Sequence, residues 1–123
     1  MLKTLQKGKN MSKRDEKIEQ YTAVSKELKL GLSDDFITKV TVGLGPSIYK
    51  KDSETVSCTD SSELDTVRKN FLQKKLGLTN DDAELDAAIK KVCEAMGSSN
   101  RNKYRALFYA LLAKEFSKES VYA

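Results

Sequence analysis

The sequence predicts an all-α fold, a compact single-domain bundle of about five helices with a central C-terminal helix. Three observations carry that prediction. Apolar residues recur at three- and four-residue steps from Ser12 to Phe116, the period of one helix face, and no segment keeps the strict alternation of a strand. Glycines and the single proline punctuate the ends of those segments. The last segment is rich in Leu, Phe, Tyr and Ala and is apolar over most of its circumference, as a helix packed on several sides must be.

Residues 1–10 lack a helical apolar stripe and are expected to form a flexible leader or a misassigned start, with Met11 as the alternative first residue and 11–123 as the helical domain. From Ser12 to Leu30, Ile18, Tyr21, Val24, Ser25 and Leu28 fall on one face, and Gly31 stops the helix. Ser33 caps a second helix, with Asp34 and Asp35 where the dipole favours acids and Phe36, Ile37, Val40 and Leu44 facing inward. Gly43 and Gly45-Pro46 end it. Residues 45–60 carry turn chemistry and read as a long loop, with a helical turn after Pro46.

Asp60-x-x-Glu63 resembles a capping box at the start of a third helix, whose stripe is Leu64, Val67, Phe71 and Leu72. Leu76-Gly77-Leu78 suits a glycine stop with the second leucine folded back on the helix. Thr79 or Asn80 caps the fourth helix, which buries Leu85, Ala88, Ile89, Val92, Cys93 and Met96 and ends at Gly97. The fifth runs from about Asn100 to Phe116, with Ser98 or Ser99 as its cap.

At 123 residues the chain can bury one core. Its net charge of +4 is concentrated at one end: Lys3, Lys7, Lys9, Lys13 and Arg14 occur without an acid, leaving 17 basic and 18 acidic residues in the remainder. A nearly neutral body argues against a nucleic-acid binder with a basic stripe. No apolar run is long enough to cross a bilayer or to serve as a secretory signal, so no membrane association and a cytoplasmic location are expected. Cys58 and Cys93 permit one disulfide but form no framework, and reduced thiols are the expectation in that compartment.

The absence of histidine removes the usual general base and the commonest metal ligand. No Walker loop or EF-hand loop is present, so neither catalytic residues, a metal site nor a cofactor is assigned, and the chain is read as a non-enzyme. Cys58, beside the Asp60 cap, is a candidate reactive thiol only against the opposition of Asp60, Glu63 and Asp65. Gly43-Leu44-Gly45-Pro46 resembles a helix-hairpin-helix phosphate loop, but the turn-rich residues after it favour a conformational role.

The best candidate site is Ser98, Ser99, Asn100, Arg101 and Arg105, at the start of the fifth helix. Hydroxyls, amides and free N–H groups there suit a phosphate or carboxylate, and Arg101 and Arg105 share a helix face from which Lys103 points away. The competing explanation, and the favoured one, pairs the arginines internally with Asp81, Asp82, Glu84, Asp34 or Asp35.

Several strings, MSKRDEKI at 11–18, GLGPSIY at 43–49, TVSC at 55–58, KNFLQKKLGL at 69–78 and GSSNRNKYRALFYALLAKEF at 97–116, together resemble the bacterial domain-of-unknown-function family 2853. The resemblance spans 11–123 and implies that residues 1–10 lie outside the usual unit. It brings no catalytic residues. The expected role is therefore a non-catalytic interaction or adaptor domain, engaging a protein partner or a second copy through its helical surface and the 45–60 loop. The alternative is a small-anion module at Ser98–Arg105, with nucleic acid the less supported ligand.

Overall fold

Four helix starts among the described residues are set by side chains that accept the N–H groups of the first turn. Ser12 accepts from Asp15, whose carboxylate returns the bond to complete a capping box, Ser33 accepts from Phe36, Asp60 from Ser62 and Glu63, and Asp81 from Glu84. The computed structural model describes residues 12–122, and the expected leader at 1–10 lies outside them. Those caps open α1 (Lys13–Leu28), α2 (Asp34–Leu44), α4 (Ser61–Thr66) and α5 (Asp82–Ala95). A 3₁₀ turn at Gly45–Tyr49 and the single-turn α3 (Lys51–Glu54) follow α2, and α6 (Arg105–Glu115) leads to a final 3₁₀ turn at Glu119–Tyr122. The fold is all-α: among the described residues the one β feature is an isolated bridge between Thr55 and Tyr104.

α6 is central, as the sequence predicts. Ala106, Leu107, Phe108, Ala110, Leu112 and Ala113 are buried on it, and it packs against α1, α2, α3, α5 and the final turn. Tyr21, Ile37, Leu72, Leu85, Ile89 and Met96 complete the same apolar cluster.

Four boundaries differ from the sequence reading. α1 ends at Leu28 and not at Gly31, because Lys29 itself takes the left-handed conformation (φ 56°) and the Leu30 N–H folds back to Ser25 O. The 45–60 segment is less a loop than a strap, since it contains the expected turn after Pro46 and also α3. α5 is capped by Asp81 in place of Thr79 or Asn80. α6 begins at Arg105, about five residues later than predicted, for reasons that lie in the candidate site.

The predicted third helix changes character at Val67 and continues to Lys75 as a π-helix, with the Leu76 N–H bonded five residues back to Phe71 O. The buried positions explain the change. On an α-helix at about 100° per residue, Val67, Phe71, Leu72 and Leu76 spread across about 180°. A π turn of about 4.4 residues gathers the same four within about 80°, so all four reach the core together. Beyond it the Leu78 N–H returns to Leu72 O across Gly77 (φ 68°), the glycine stop the sequence predicts.

The final turn is held by Tyr122, whose ring meets Phe36 edge-on at 5.9 Å and lies under Lys75 Nζ at 5.4 Å. Gly43 makes room for it, since a Cβ there would come within 3.1 Å of the Tyr122 ring. The first glycine of the suspected phosphate loop is thus a packing residue, and Gly45 (φ 64°) ends α2. Burial, reinforced by the Tyr109 phenol, pushes the Tyr122 hydroxyl up to about 12.

Phe108→Ala should lower the free energy of unfolding by about 3–5 kcal/mol in urea titrations, because the central helix cannot collapse into the space. Tyr122 ionises at higher pH in the folded chain than its ordinary 10.0, so its contribution is complete below pH 10 and is lost as pH rises toward 12. Tyr122→Phe should therefore flatten the fall in stability over that interval, measured by denaturant titration at stepped pH.

Candidate functional site

Arg105, one of the two arginines singled out in the sequence, is buried and turned into the protein. Its Nε donates to Ser53 O at 2.7 Å, Nη1 to the Tyr109 hydroxyl at 2.8 Å, and Nη2 to Thr55 O at 3.3 Å and Glu63 Oε1 at 2.6 Å. Four of its five donors are thereby committed. Internal pairing is the correct explanation for Arg105, but its acid is Glu63, none of the five predicted from the helix termini. Glu63 was assigned by spacing to a capping box. Asp60 does cap α4, while the Glu63 carboxylate crosses to the central helix in place of returning to the cap.

Around this contact the strap is pinned along its length. The Val56 N–H donates to Lys103 O at 2.9 Å, and Glu54 accepts from the Tyr21 hydroxyl and from Lys17 Nζ, both at 2.7 Å. Burial, then the adjoining Glu54, drives the Tyr21 phenol far above its ordinary range and keeps it a donor. Gln20 Nε2 donates to the Tyr104 hydroxyl at 2.9 Å, and the Tyr21 and Tyr104 rings lie 4.9 Å apart. On the other side of Arg105, Tyr109 stacks on Phe71 at 3.9 Å. Burial raises the Tyr109 pKa against the opposing charge of Arg105.

This pinning explains the late start of α6. Lys103 O accepts the Val56 N–H and Tyr104 bridges Thr55 of the strap, while the Tyr104 N–H closes on Asn102 O and the preceding residues close turns on themselves. Asn100 Nδ2 donates to Met96 O, its Oδ1 accepts from the Asn102 N–H, and its carbonyl accepts from Lys103 Nζ at 2.6 Å. Ser98 and Ser99 therefore cap no helix, and Tyr104 occupies the N-cap position without a side-chain bond. Lys103, expected to point away from the arginine face, is buried. The predicted shared face of Arg101 and Arg105 does not form, since Arg101 precedes the helix.

Ser98, Ser99, Asn100 and Arg101 do come together, lining a groove of about 670 Å³ that the 55–59 end of the strap also lines. Lys90 and Glu94 on α5 line it as well, and Ser57 and Thr59 add hydroxyls. Arg101 is exposed and has no hydrogen bond or ion pair to any described residue. The groove's lining includes a bond that the sequence permitted but did not favour: Cys58 and Cys93 are joined in a disulfide, not held as two reduced thiols. Spanning 35 residues, the bond adds about 4 kcal/mol in the chain-entropy account. Cys93 was expected to be a small core residue, and it sits instead at the core's edge, only partly buried.

Across the disulfide lies a second cleft of about 760 Å³ between α4, the π-helix and α5. Arg68 sits there among carboxylates, with Nη1 bonded to both oxygens of Asp86 at 2.9 and 3.0 Å, Nη2 paired to Asp65, and Nε 3.7 Å from Asp82. Asp65 is held below the ordinary carboxylate range by its hydrogen bond to Lys69 and the nearby charges of Lys69 and Arg68. Cys58, Cys93 and Lys90 line both clefts and form the partition between them. Among the described residues no group of three or more His, Cys, Asp or Glu side chains is placed to hold a metal ion, and no helix is long and apolar enough to cross a membrane.

The fold and the groove thus define a small all-α domain in which a disulfide joins a strapped loop to a helix beside an open basic rim. The chain belongs to the DUF2853 family: the family model described as "Protein of unknown function (DUF2853)" matches residues 16–120. No curated protein matches the chain.

Arg105→Met leaves the Glu63 carboxylate and two strap carbonyls without their donor and should cost about 3 kcal/mol in denaturant unfolding. Adding Glu63→Leu should recover part of that loss, because the uncompensated charge goes with it.

Proposed function

We propose that the protein is a non-catalytic binding domain that holds an anionic group, a phosphate or a carboxylate, in the groove above the Cys58–Cys93 disulfide. The observation that carries this reading is the contrast between neighbouring cations. Lys103 and Arg105 are buried and bonded within the fold, whereas Arg101 stands exposed at the groove without a partner among the described residues. An exposed guanidinium beside Lys90 and the hydroxyls of Ser57, Thr59, Ser98 and Ser99 offers several donors to one oxyanion. Glu94 on the same rim limits the net charge, which favours a single compact anion over an extended polyanion such as nucleic acid.

Support for the adaptor reading is thinner. Among the described residues the large apolar side chains left exposed, Val42, Tyr49 and Val121, keep only 45, 47 and 37% of their surface in solvent, and such positions are ordinary on a monomer's surface. A non-catalytic role accords with a chain that contains no histidine and whose two cysteine sulfurs are bonded to each other.

Inorganic phosphate titrated at low ionic strength should shift the amide resonances of Ser57–Thr59 and Ser98–Arg101. Arg101→Ala should weaken that binding by about tenfold or more, the worth of one charge-assisted hydrogen bond. Absence of shifts at both segments, or an unchanged affinity in the variant, overturns the reading.

A further inference from the structure

The Cys58–Cys93 bond is placed to do more than stabilise. Cys58 lies in the turn 57–60, closed by the Asp60 N–H to Ser57 O at 3.3 Å, while Cys93 lies on α5. Both cysteines, half-buried, line the anion groove on one side and the Arg68 cleft on the other, so the bond borders two open cavities. The turn itself is short, and its ends are fastened independently of the disulfide. Upstream, Thr55 O is held by Arg105 and the Val56 N–H by Lys103 O. Downstream, the Asp60 carboxylate caps α4 through the Ser62 and Glu63 N–H groups. Between those anchors, the side-chain contact of Ser57 with Thr59 at 3.4 Å stays within the turn, and the tie from Cys58 to α5 is the disulfide.

We infer that the Cys58–Cys93 pair is a redox latch that sets the shape of the anion groove. The inference rests on the proposed groove for its consequence in binding, but not for the latch itself. In the oxidised form the bond presses the 57–59 turn against α5, fixes Ser57 and Thr59 in the groove with Ser98–Arg101, and keeps the two clefts separate. A thiol reductant attacks one sulfur, a mixed disulfide forms, and a second thiol displaces it. Two electrons and two protons pass to the pair, leaving Cys58–SH and Cys93–SH while the reductant's two thiols leave as a disulfide. The turn is then held only at Val56 and Asp60, and the partition between the clefts opens. Because the upstream anchor is Arg105 and the downstream anchor is a helix cap, the change stays within the turn and the helical core persists. In a thiol-buffered compartment the open form prevails, and a disulfide-bearing oxidant closes it.

The test compares the full chain in oxidised form, after treatment with dithiothreitol, and as the Cys58→Ser/Cys93→Ser double variant, with inorganic phosphate as the probe. Backbone order parameters at 57–59 are expected to fall from about 0.85 to below about 0.6 in the two unbonded forms, while those of α6 stay high. Phosphate affinity is expected to fall by about tenfold with them, the fraction of chains holding the groove closed having dropped by that factor. Order parameters at 57–59 that do not change on reduction overturn the latch, as does a loss of order that spreads through α5 and α6. Phosphate binding of equal strength in all forms overturns the link between latch and groove. Failure of phosphate to bind any form overturns the anion reading alone, since the order parameters still decide whether the turn is released.

Discussion

One guanidinium holds the strap of this protein in place. Residues 45–60 contain too little regular structure to satisfy their own backbone, and a strap crossing a helical bundle must find acceptors and donors for its carbonyls and N–H groups elsewhere. Arg105 supplies two of those donors, to Ser53 and Thr55, and with the rest of the same planar group it joins Glu63 of α4 and Tyr109 of its own helix. The neighbouring Lys103 carbonyl takes the Val56 N–H. From that anchorage follow the non-helical backbone before α6, the late start of the helix, and the approach of Cys58 to Cys93. A buried ion pair adds little stability over an apolar contact of the same shape, because both charges surrender water. Its contribution here is position.

The helical class, the central last helix and most of the core were legible in the sequence because they rest on local periodicity. Leu85, Ala88, Ile89 and Val92 repeat at helical steps and are buried together, and Asp60 caps the helix it was expected to cap. What was not legible depends on contacts distant along the chain. Arg105 and Glu63 are 42 positions apart, and both fit a plausible local role, which spacing alone preferred. Cys58 and Cys93 were discounted on compartment, an argument that says nothing of whether two sulfurs meet. Across α4 and the π-helix, Leu64, Val67, Phe71 and Leu72 satisfied an α pattern well enough to hide the wider turn.

The candidate site shows the same division. Arg101 and Arg105 were read as sharing one helix face, and the fold separates them. Lys103 is spent on the Asn100 carbonyl, Arg105 on the strap, and Arg101 alone remains at the surface with Ser98 and Ser99 beside it. Ser57, Thr59 and Lys90, which line the same groove, come from segments that no motif connected to it. Such grooves assemble from turns that a rigid scaffold brings face to face, and here the scaffold is the bond between the strap and α6.

The π-helix bears on which changes this chain can absorb over time. Nine residues from Val67 to Lys75 complete fewer turns than they would in an α-helix, so the stretch carries residues in excess of what its length in space requires. Deleting one would let the hydrogen bonds tighten to the α register, and every side chain beyond the deletion would swing round the axis. Substitutions among Arg68, Lys69, Asn70 and Gln73 alter what the helix presents to its surroundings, but a change in residue number between Thr66 and Gly77 alters which residues are presented at all. In this segment the count of residues is under tighter constraint than their identity.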